Sequence, residues 1–272
     1  MMNNKVVAIT GCSSGIGLES ALYLKNKGMI VCATARKEDD VQKLKDLGFD
    51  SYKLDVTDKS EIKSSIEDII NKYGKIDAWF NNAGYGQPGA LEDVSTNALR
   101  EQFETNVFGL HECTLEILKV FKEQGYGTII QHSSVLGLIS LFGRGAYNAS
   151  KYAIEGLSDT LRLELKGTGI NIVTLNTGPI TSSFRKNATI KLQQNIDIQN
   201  SRFKEIYQKS LNGKVKKVPF NEEALSVAKI VHKIIVSKKP KPRYYITKAT
   251  YILGFLKRIL STTLLDKILI KI

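Results

Sequence analysis

The sequence predicts an α/β protein built on a doubly wound, seven-stranded parallel sheet with helices on both faces. Short apolar runs rich in β-branched residues alternate along the chain with segments of helical periodicity, and this alternation requires crossover connections between parallel strands. A Gly-rich turn follows the first apolar run, at a point where folds of this class bind anions. The 272 residues, 42% of them hydrophobic, are enough for one large domain.

Seven buried strands are predicted from the apolar runs. They span residues 5–10, 29–35, 51–56, 76–80, 128–132, 170–175 and 244–247. Helical periodicity predicts helices at 17–27, 57–73, 147–166 and 222–237, and a long helix that begins at Ser95 or Thr96 and runs, with a kink, to Lys122. Because no linker and no internal repeat interrupts this order, we expect a single domain of the Rossmann type.

The C-terminal third is less regular. The apolar residues between about 180 and 220 recur with weaker periodicity. This segment is expected to form an irregular, partly helical insertion that contacts a ligand. We expect the main domain to cover residues 1–247, and residues 248–272 to form a basic amphipathic extension.

Composition excludes several classes of protein. The three cysteines form no CxxC pair and are odd in number, which argues against a disulfide framework and favours a reducing, cytoplasmic location. The three histidines lack the spacing of metal ligands, so we expect no metal site and exclude a zinc-type alcohol dehydrogenase. No run of 18 apolar residues occurs, so neither a signal peptide nor a spanning helix is expected.

Most of the positive charge lies near the C-terminus. The formal charge is +12, and residues 238–272 contribute nine Lys or Arg against one Asp. The preceding 237 residues carry 30 basic and 26 acidic side chains, and this near balance does not predict a basic groove across the domain. We therefore expect no nucleic-acid partner, unless the extension alone binds one.

The Gly-rich turn suits a phosphate group. It runs Thr10-Gly-Cys-Ser-Ser-Gly-Ile-Gly17, where three glycines allow a tight turn and the next helix directs its N-terminus at an anion. The spacing G-x-x-x-G-x-G departs from the usual dinucleotide pattern G-x-G-x-x-G, so a simple tight turn stays an alternative.

The residues after the second strand indicate which dinucleotide fits. Arg36 and Lys37 stand where an NAD site usually carries Asp or Glu, and a guanidinium there suits the 2′-phosphate of NADP. A solvated basic pair is the alternative. Asp55, at the end of the third strand, either accepts a hydrogen bond from the adenine amine or is an ordinary turn residue.

Three residues form the most specific pattern in the chain. Tyr147 and Lys151 are four positions apart and so share one face of a predicted helix, while Ser134 follows the fifth strand. Lowering the pKa of a tyrosine from about 10 to near neutrality requires ~4 kcal/mol, for which Lys151 and an oxidised nicotinamide ring are the expected sources. Ser134 would donate a hydrogen bond to the oxygen of a reacting carbonyl.

Together these motifs resemble the short-chain dehydrogenase/reductase family over nearly the whole chain. The resemblance is carried by TGCSSGIG (10–17), LDV (54–56), NNAG (81–84), TNVFG (105–109), HSSVLG (132–137), YNASK (147–151) and NTGPITSSF (176–184). It implies that residues 1–247 are an NADP-binding catalytic domain with a catalytic tetrad of Asn106, Ser134, Tyr147 and Lys151. In that pattern Asn106 fixes a water in a proton relay through Lys151.

The resemblance also implies which residues bind NADP(H). The phosphate loop would be lined by Thr10, Gly11, Ser13, Ser14, Gly15, Ile16 and Gly17, and Arg36 would select NADP. Adenine would be held by Asp55 and Val56, and the nicotinamide would be backed by Asn82, Ala83 and Gly84. The nicotinamide amide would be bound by Pro179, Ile180 and Thr181, and the cofactor would also be contacted by Tyr147 and Lys151. The chain departs from the family pattern at Ser14, where some NADP enzymes carry a basic residue, and at Ser182 and Ser183.

Within the family, the chain is most similar to bacterial NADP-dependent aldehyde reductases, and it is similar also to retinol and 17β-hydroxysteroid dehydrogenases. This similarity implies NADPH-dependent reduction of a lipophilic aldehyde or ketone, with Tyr147 as general acid, by a homodimer or homotetramer formed through the helices at 96–122 and 147–166. Two alternatives stay open: a dehydrogenase of the retinol or hydroxysteroid type that works in the oxidative direction, and a catalytically idle NADP-binding sensor or scaffold.

Apolar residues near the expected site favour a lipophilic substrate over a sugar or a hydroxy acid. They are Leu136, Leu138, Ile139, Leu141, Phe142, Tyr85, Phe184, Ile190, Leu192, Phe203 and Tyr207. The polar Gln87 is expected in the same region. The stretch 138–142 is equally compatible with a core. Arg144 and Arg185, the nearby cations, would either bind a carboxylate or cap a helix.

The extension is predicted to be an amphipathic helix. One face of a helical wheel is apolar and contains Tyr251, Ile252, Phe255, Leu256, Ile259 and Leu260. The opposite face contains Gly254, Lys257 and Arg258. The apolar face continues with Leu264, Leu265, Ile268, Leu269 and Ile272. One interpretation is that this face packs on the domain or on a partner subunit. The other is that the helix lies peripherally on a membrane surface.

Overall fold

Both faces of the sheet are covered by other elements, as the first strand illustrates. In a computed structural model that describes residues 4–212 and 219–272, Val7 and Ile9 point into one hydrophobic core and Val6 and Ala8 into another. Successive side chains of a strand face opposite sides of the sheet, and here both sides are covered. The strand is therefore apolar at every position, as the sequence predicts.

The strands of the described chain have the following bounds: β1 (Val6–Ile9), β2 (Ile30–Ala35), β3 (Asp50–Lys53), β4 (Ala78–Asn81), β5 (Gly127–Ser134), β6 (Ile170–Thr177), β7 (Ile180–Thr181), β8 (Glu222–Glu223) and β9 (Arg243–Ile246). Seven of them form one parallel sheet in the order β3-β2-β1-β4-β5-β6-β9, and β7 and β8 pair separately. The strand order reverses direction at β1, so the sheet is doubly wound. The predicted fold class is confirmed.

The helices of the described chain are α1 (Gly15–Asn26), α2 (Glu38–Asp46), α3 (Lys59–Tyr73), α4 (Thr96–Phe103), α5 (Leu110–Gln124), α6 (Gly145–Glu164), α7 (Phe184–Asn195), α8 (Lys204–Asn212), α9 (Ala224–Val236), α10 (Lys248–Ile259) and α11 (Thr262–Leu269). Helices α1, α2 and α9 cover one face of the sheet, and α3 and α5 cover the other. A π-helical segment, 104–109, joins α4 to α5, and a short 3-10 turn, 135–137, follows β5.

Two predicted helix starts are confirmed by their caps. The Asp58 carboxylate accepts hydrogen bonds from the main-chain N–H groups of Ser60 and Glu61, and the Ser95 hydroxyl accepts one from Ala98. Each cap satisfies N–H groups that the helix itself leaves without a partner. The kink predicted between Ser95 and Lys122 takes the form of the π-helical segment.

The extension forms two helices, and the predicted apolar face of the first is divided between the domain and the protein surface. Gly254, which the helical wheel places opposite the apolar face, is buried against Leu138 and Tyr245. Leu253, Leu256 and Leu260 also face the domain, whereas Tyr251 and Phe255 are each 60% exposed. A small residue allows close approach of the helix, and this close packing outweighs the burial of the larger aromatic side chains.

Candidate active site

The strand ends bring the predicted site residues to one edge of the sheet. Strand β1 pairs with β4 up to Ile9 and Phe80, and β5 pairs with β6 up to Ser134 and Thr177. Because all these strands are parallel, their carboxyl ends lie together. The phosphate loop after β1 and the catalytic candidates after β5 therefore share one cleft.

Helix α6 holds the two central side chains beside each other. The Lys151 ammonium lies 5.5 Å from the centre of the Tyr147 ring, one helical turn away. Lys151 also donates a hydrogen bond of 2.7 Å to the main-chain carbonyl oxygen of His132 on β5, which fixes the side chain against the sheet. The Ser134 hydroxyl donates to the Thr177 carbonyl oxygen at 3.3 Å, and its nearness acts to lower the pKa of the Tyr147 phenol. The structure thus brings Ser134, Tyr147 and Lys151 together.

Burial has the largest effect on the pKa values of Tyr147 and Lys151. Loss of water raises the pKa of Tyr147 to about 12, although the Ser134 hydroxyl and the Arg144 guanidinium act in the opposite direction. Loss of water also lowers the pKa of Lys151 to about 8, against the influence of the Glu155 carboxylate. The acidic phenol expected from the sequence is therefore not produced by the protein groups alone. At neutral pH Tyr147 is a phenol, which is the form that can donate a proton.

Asn106 lies in the π-helical segment and is buried. Its amide nitrogen donates to the Tyr85 carbonyl oxygen at 2.9 Å and to the Ser150 hydroxyl at 3.2 Å. Its amide oxygen accepts from the Tyr85 main-chain N–H at 3.1 Å. The side chain thus ties the loop after β4 to α6 and has these protein partners at both ends. The expected water would have to contact the main chain of Asn106 instead.

The phosphate loop turns at Gly11 and Gly15, whose φ angles are +71° and +60°. A side chain at Gly17 is excluded, because its Cβ would lie 2.3 Å from the Gly11 carbonyl oxygen. The Asn82 amide donates to the carbonyl oxygens of Thr10 at 2.9 Å and Gly11 at 3.1 Å, so the end of β4 holds the loop in place.

The N-terminus of α1 is suited to a pyrophosphate. Ser14 precedes the helix in an extended conformation and makes no capping hydrogen bond, and the first turn contains no acidic residue. Such a helix end presents main-chain N–H groups and a positive dipole to an anion. The Ser14 hydroxyl lies 2.7 Å from that of Ser183. The unusual serines after Thr181 therefore reach the phosphate loop.

Arg36 and Asp55 lie together at the end of the cleft where adenine is expected. The guanidinium is 68% exposed and its Nε atom lies 3.9 Å from a carboxylate oxygen of Asp55. The other carboxylate oxygen accepts from the Thr57 main-chain N–H at 3.0 Å. Asp55 is thus a turn residue, and its second carboxylate oxygen lies towards the Arg36 guanidinium. Val56 is buried against the π-helical segment, where its carbonyl oxygen leaves no room for a side chain at Gly109.

The side chains of Ile180 and Thr181, after β6, are less available to bind a nicotinamide amide than the sequence suggests. Ile180 is buried in the core beneath α1 and α9. The Thr181 hydroxyl donates to the Glu223 carboxylate at 2.9 Å and accepts from the Asn221 amide at 2.6 Å. These two side chains are therefore engaged within the protein, and their contact with a nicotinamide amide is limited to the main chain.

Sequence reasoning missed two polar residues beneath the site. The His132 ring lies 3.1 Å from the Asn82 amide oxygen and 3.2 Å from the Thr177 hydroxyl, and loss of water lowers its pKa to about 3. Glu155 accepts from the Asn176 amide at 2.6 Å. The spacing of Glu155, four positions after Lys151, was a signal that could have identified it.

Glu155 holds together three strand ends. It accepts a short hydrogen bond from the Ser133 hydroxyl on β5 and pairs with Arg243 of β9 at 2.6 Å. Burial raises the pKa of this carboxyl, and Ser133 and Arg243 oppose the shift. The carboxylate therefore lies one helical turn beyond Lys151 and braces α6 against the sheet.

Only part of the predicted apolar wall faces the cleft. The Phe184 ring packs edge-on against Tyr147 with centres 5.4 Å apart, and Phe142 packs likewise on Phe203 at 5.1 Å. Several other members instead form cores with the extension or within the insertion: Leu136, Ile139 and Leu141 pack with the extension, and Leu192 and Tyr207 pack within the insertion. The core interpretation of the stretch 138–142 holds for Ile139 and Leu141.

The described residues contain neither a metal-binding cluster nor a membrane-spanning helix. Across 4–212 and 219–272, no three or more His, Cys, Asp or Glu side chains are grouped as they would be around a metal ion. No helix in the same part of the chain combines the length and the apolar character needed to cross a membrane.

Comparison with known proteins identifies the family. The family model for short chain dehydrogenases matches residues 5–213. The oxidoreductase YbbO of Escherichia coli K12 is 40% identical over 266 residues, which cover 97% of this chain and 94% of that protein. An NADPH-dependent 3-dehydrocapnine reductase of Ornithobacterium rhinotracheale is 29% identical over 276 residues, 98% of this chain and 96% of that protein.

The fold comparison agrees. The crystal structure of a short-chain dehydrogenase from Streptomyces avermitilis superimposes with a TM-score of 0.75 at 25% identity, covering 97% of this chain and 94% of that one. The sheet order, the phosphate loop and the Ser134, Tyr147 and Lys151 cluster are thus found in a chain whose sequence matches one family along most of its length. The protein belongs to the short-chain dehydrogenase family of oxidoreductases.

Proposed function

We propose that the protein reduces a lipophilic aldehyde or ketone to the alcohol with NADPH, and that Tyr147 is the general acid. The observation that carries this proposal is the cluster of Ser134, Tyr147 and Lys151 at the same sheet edge as the phosphate loop. A scaffold or sensor that only binds a nucleotide has no need of a buried phenol beside an ammonium and a hydroxyl.

The protein groups act on the carbonyl oxygen. When bound, NADPH supplies the hydride that the carbonyl carbon receives. Tyr147 donates its proton to the oxygen, and the Ser134 hydroxyl donates a hydrogen bond that orients it and stabilises the developing charge. The Lys151 ammonium, 5.5 Å from the ring, stabilises the phenolate left behind. One hydride and one proton thus convert the carbonyl to an alcohol.

NADPH is favoured over NADH by the residue after β2. The exposed Arg36 guanidinium can pair with a 2′-phosphate through two parallel hydrogen bonds. Glu38 is the first acidic residue after the strand, and it begins α2. The NADPH-dependent relative from Ornithobacterium rhinotracheale supports the same choice.

The cleft favours an apolar substrate. Phe184 and Phe142 are 37% and 56% exposed, and Phe184 contacts the proposed proton donor directly. The reductase of 3-dehydrocapnine among the relatives supports carbonyl reduction. A cytoplasmic location and a homo-oligomeric state stay predictions.

The experiment is a panel of aliphatic and aromatic aldehydes, retinal and steroid ketones, assayed with NADPH and NADH side by side. We expect turnover of apolar carbonyls with a clear preference for NADPH. Arg36→Ala should lower kcat/KM for NADPH by roughly tenfold to a hundredfold and leave NADH nearly unaffected, because it removes a charge-assisted contact to the phosphate. Arg100→Ala, which removes an exposed arginine on α4, is the matched control.

Two results would contradict the proposal. One is tight NADPH binding without turnover of any carbonyl in the panel, which is the behaviour of a sensor. The other is a preference for NADH that Arg36→Ala does not change.

A further inference from the structure

Helix α10 turns its bulkiest apolar side chains away from the protein. Tyr251 and Phe255 are each 60% exposed, Ile252 is 47% and Ile259 is 57% exposed. They recur at spacings of three and four residues and so form one outward stripe on the helix. An amphipathic helix of a globular protein ordinarily buries such a stripe.

The stripe is not needed to attach the helix. The opposite side of α10 already packs on the domain through Leu253, Leu256 and Leu260, which share a core with Val135 and Ile139. Thr250 and Gly254 are fully covered on that side. The outward side chains are therefore surplus to the fold, and their exposure needs another explanation.

The exposed surface of the two helices is also basic. Lys248, Lys257, Arg258, Lys267 and Lys271 are exposed, and Asp266 is the acidic residue of the two helices. None of these five forms an ion pair within the part of the chain that the structure describes. A surface that combines exposed aromatic and aliphatic groups with unpaired cations is complementary to the interface of an anionic bilayer.

We propose that helices α10 and α11 dock the protein on anionic lipid membranes, with the α10 stripe inserted at the headgroup level. Tyr251 and Phe255 would lie among the headgroups and acyl chain ends, and the lysines and Arg258 would contact lipid phosphates. A second copy of the chain is a poorer occupant. In a symmetric dimer this surface would face itself, which places five cations against five cations. The proposal is independent of the reaction proposed above.

Docking would place the catalytic cleft near the membrane. The inner side of α10 packs against the turn that follows Ser134, so the membrane would lie one helix away from the catalytic loop. A lipophilic carbonyl dissolved in the bilayer would then have a short path to the cleft.

The test is co-sedimentation of the full chain with vesicles. One set contains phosphatidylcholine and phosphatidylglycerol, and the other contains phosphatidylcholine alone. We expect binding to the anionic set that weakens at high salt, because exposed charges are screened. The double variant Ile252→Ser with Phe255→Ser should weaken binding by roughly tenfold or more, since it removes two of the four inserted apolar side chains.

A charge variant makes the test independent of the apolar one. Lys257→Glu with Arg258→Glu should abolish the preference for anionic vesicles, whereas Leu47→Ser, which removes a leucine 48% exposed at the end of α2, should change nothing. All variants should keep the melting temperature and the reduction of a water-soluble carbonyl. Loss of lipid binding with activity retained thus separates this proposal from the proposed function.

Three outcomes would overturn the proposal. In the first, the wild-type chain binds neither set of vesicles, and in the second, both variants bind as the wild type does. In the third, light scattering finds that Phe255→Ser turns an oligomer into single chains while no vesicle is bound, and the stripe is then a contact between subunits.

Discussion

Gly84 illustrates how tightly single residues determine the geometry of the site. A Cβ atom at this position would lie 3.0 Å from the amide oxygen of Asn106, which also accepts a hydrogen bond from Tyr85. A methyl group would push the amide away and release the loop after β4. The glycine of the NNAG motif thus protects the position of Asn106.

We predict that Gly84→Ala lowers kcat by roughly tenfold to a hundredfold, the effect of a small displacement in a catalytic site. Circular dichroism and melting temperature should stay close to those of the wild type. The matched control is Gly156→Ala, at an exposed position of α6 where a Cβ meets no atom within 4 Å. Equal activity of Gly84→Ala and the wild type would show that Asn106 has room to adjust.

His132 is predicted to make the fold sensitive to acid. Its pKa is about 3 in the folded chain and about 6.5 when unfolded. Between these values the unfolded chain binds more protons, so the free energy of unfolding falls as the pH decreases below 6.5, by up to about 1.4 kcal/mol per pH unit. Urea unfolding from pH 7 to pH 5 should give a steeper loss for the wild type than for His132→Asn. Parallel curves would exclude this role.

At the scale of elements, the sequence is most informative where an apolar pattern and a cap coincide. Helix α3, predicted at 57–73, begins after Asp58, whose side chain caps it, and ends before Gly74. Helix α2 was missed, because only Val41 and Leu44 of its nine residues are buried and the remainder is charged or polar. The insertion is predicted as irregular and partly helical, but the bounds of its helices are not. Their small cores bury few residues, so they leave little periodicity in the sequence.

The orientation of α10 could not be read from a helical wheel. The wheel ranks faces by hydrophobicity, whereas the structure selects the face with the smallest residue. Gly254 allows the helix to approach Tyr245 and Leu138 within 3.3 Å of where its Cβ would be. This choice depends on the shape of the partner surface, which no local pattern records.

The π-helical segment is predicted to be essential to the site. One extra residue within a helix creates such a segment, and here it contains Asn106. Deletion of Phe108 should restore a regular helix, rotate Asn106 away from Tyr85 and abolish turnover while helical content is kept. Phe108→Ala, at a side chain 56% exposed, should retain activity. Turnover by the deletion variant would contradict this account.

At the scale of the molecule, the parallel sheet determines where chemistry occurs. The sequence correctly indicates that residues far apart in the chain, such as Gly11, Ser134 and Tyr147, meet at one edge. The sequence could not indicate the pKa values of the side chains at that edge. The pKa of Tyr147 depends on how completely water is excluded, which is a property of the packed domain and not of the YNASK motif.

The assembled protein is expected to be a homodimer or homotetramer. Helices α5 and α6 expose Leu115, Leu157 and Leu163, which are 41%, 39% and 71% exposed, and unpaired leucines of this kind favour burial at an interface. Light scattering should therefore give the mass of two or four chains, and Leu163→Glu should shift it towards one. Leu47→Glu, at a comparably exposed leucine directly after α2, should not. A wild-type mass of one chain would refute the expectation.

The most direct measurement compares Tyr147→Phe with the wild type on the best carbonyl of the panel. The account predicts that kcat/KM falls by roughly 10²–10⁴-fold, the usual loss when a positioned proton donor is removed, while calorimetry gives a nearly unchanged Kd for NADPH. Tyr152→Phe, on the same helix but 38% exposed, should behave as the wild type. Retention of full activity by Tyr147→Phe would contradict the account.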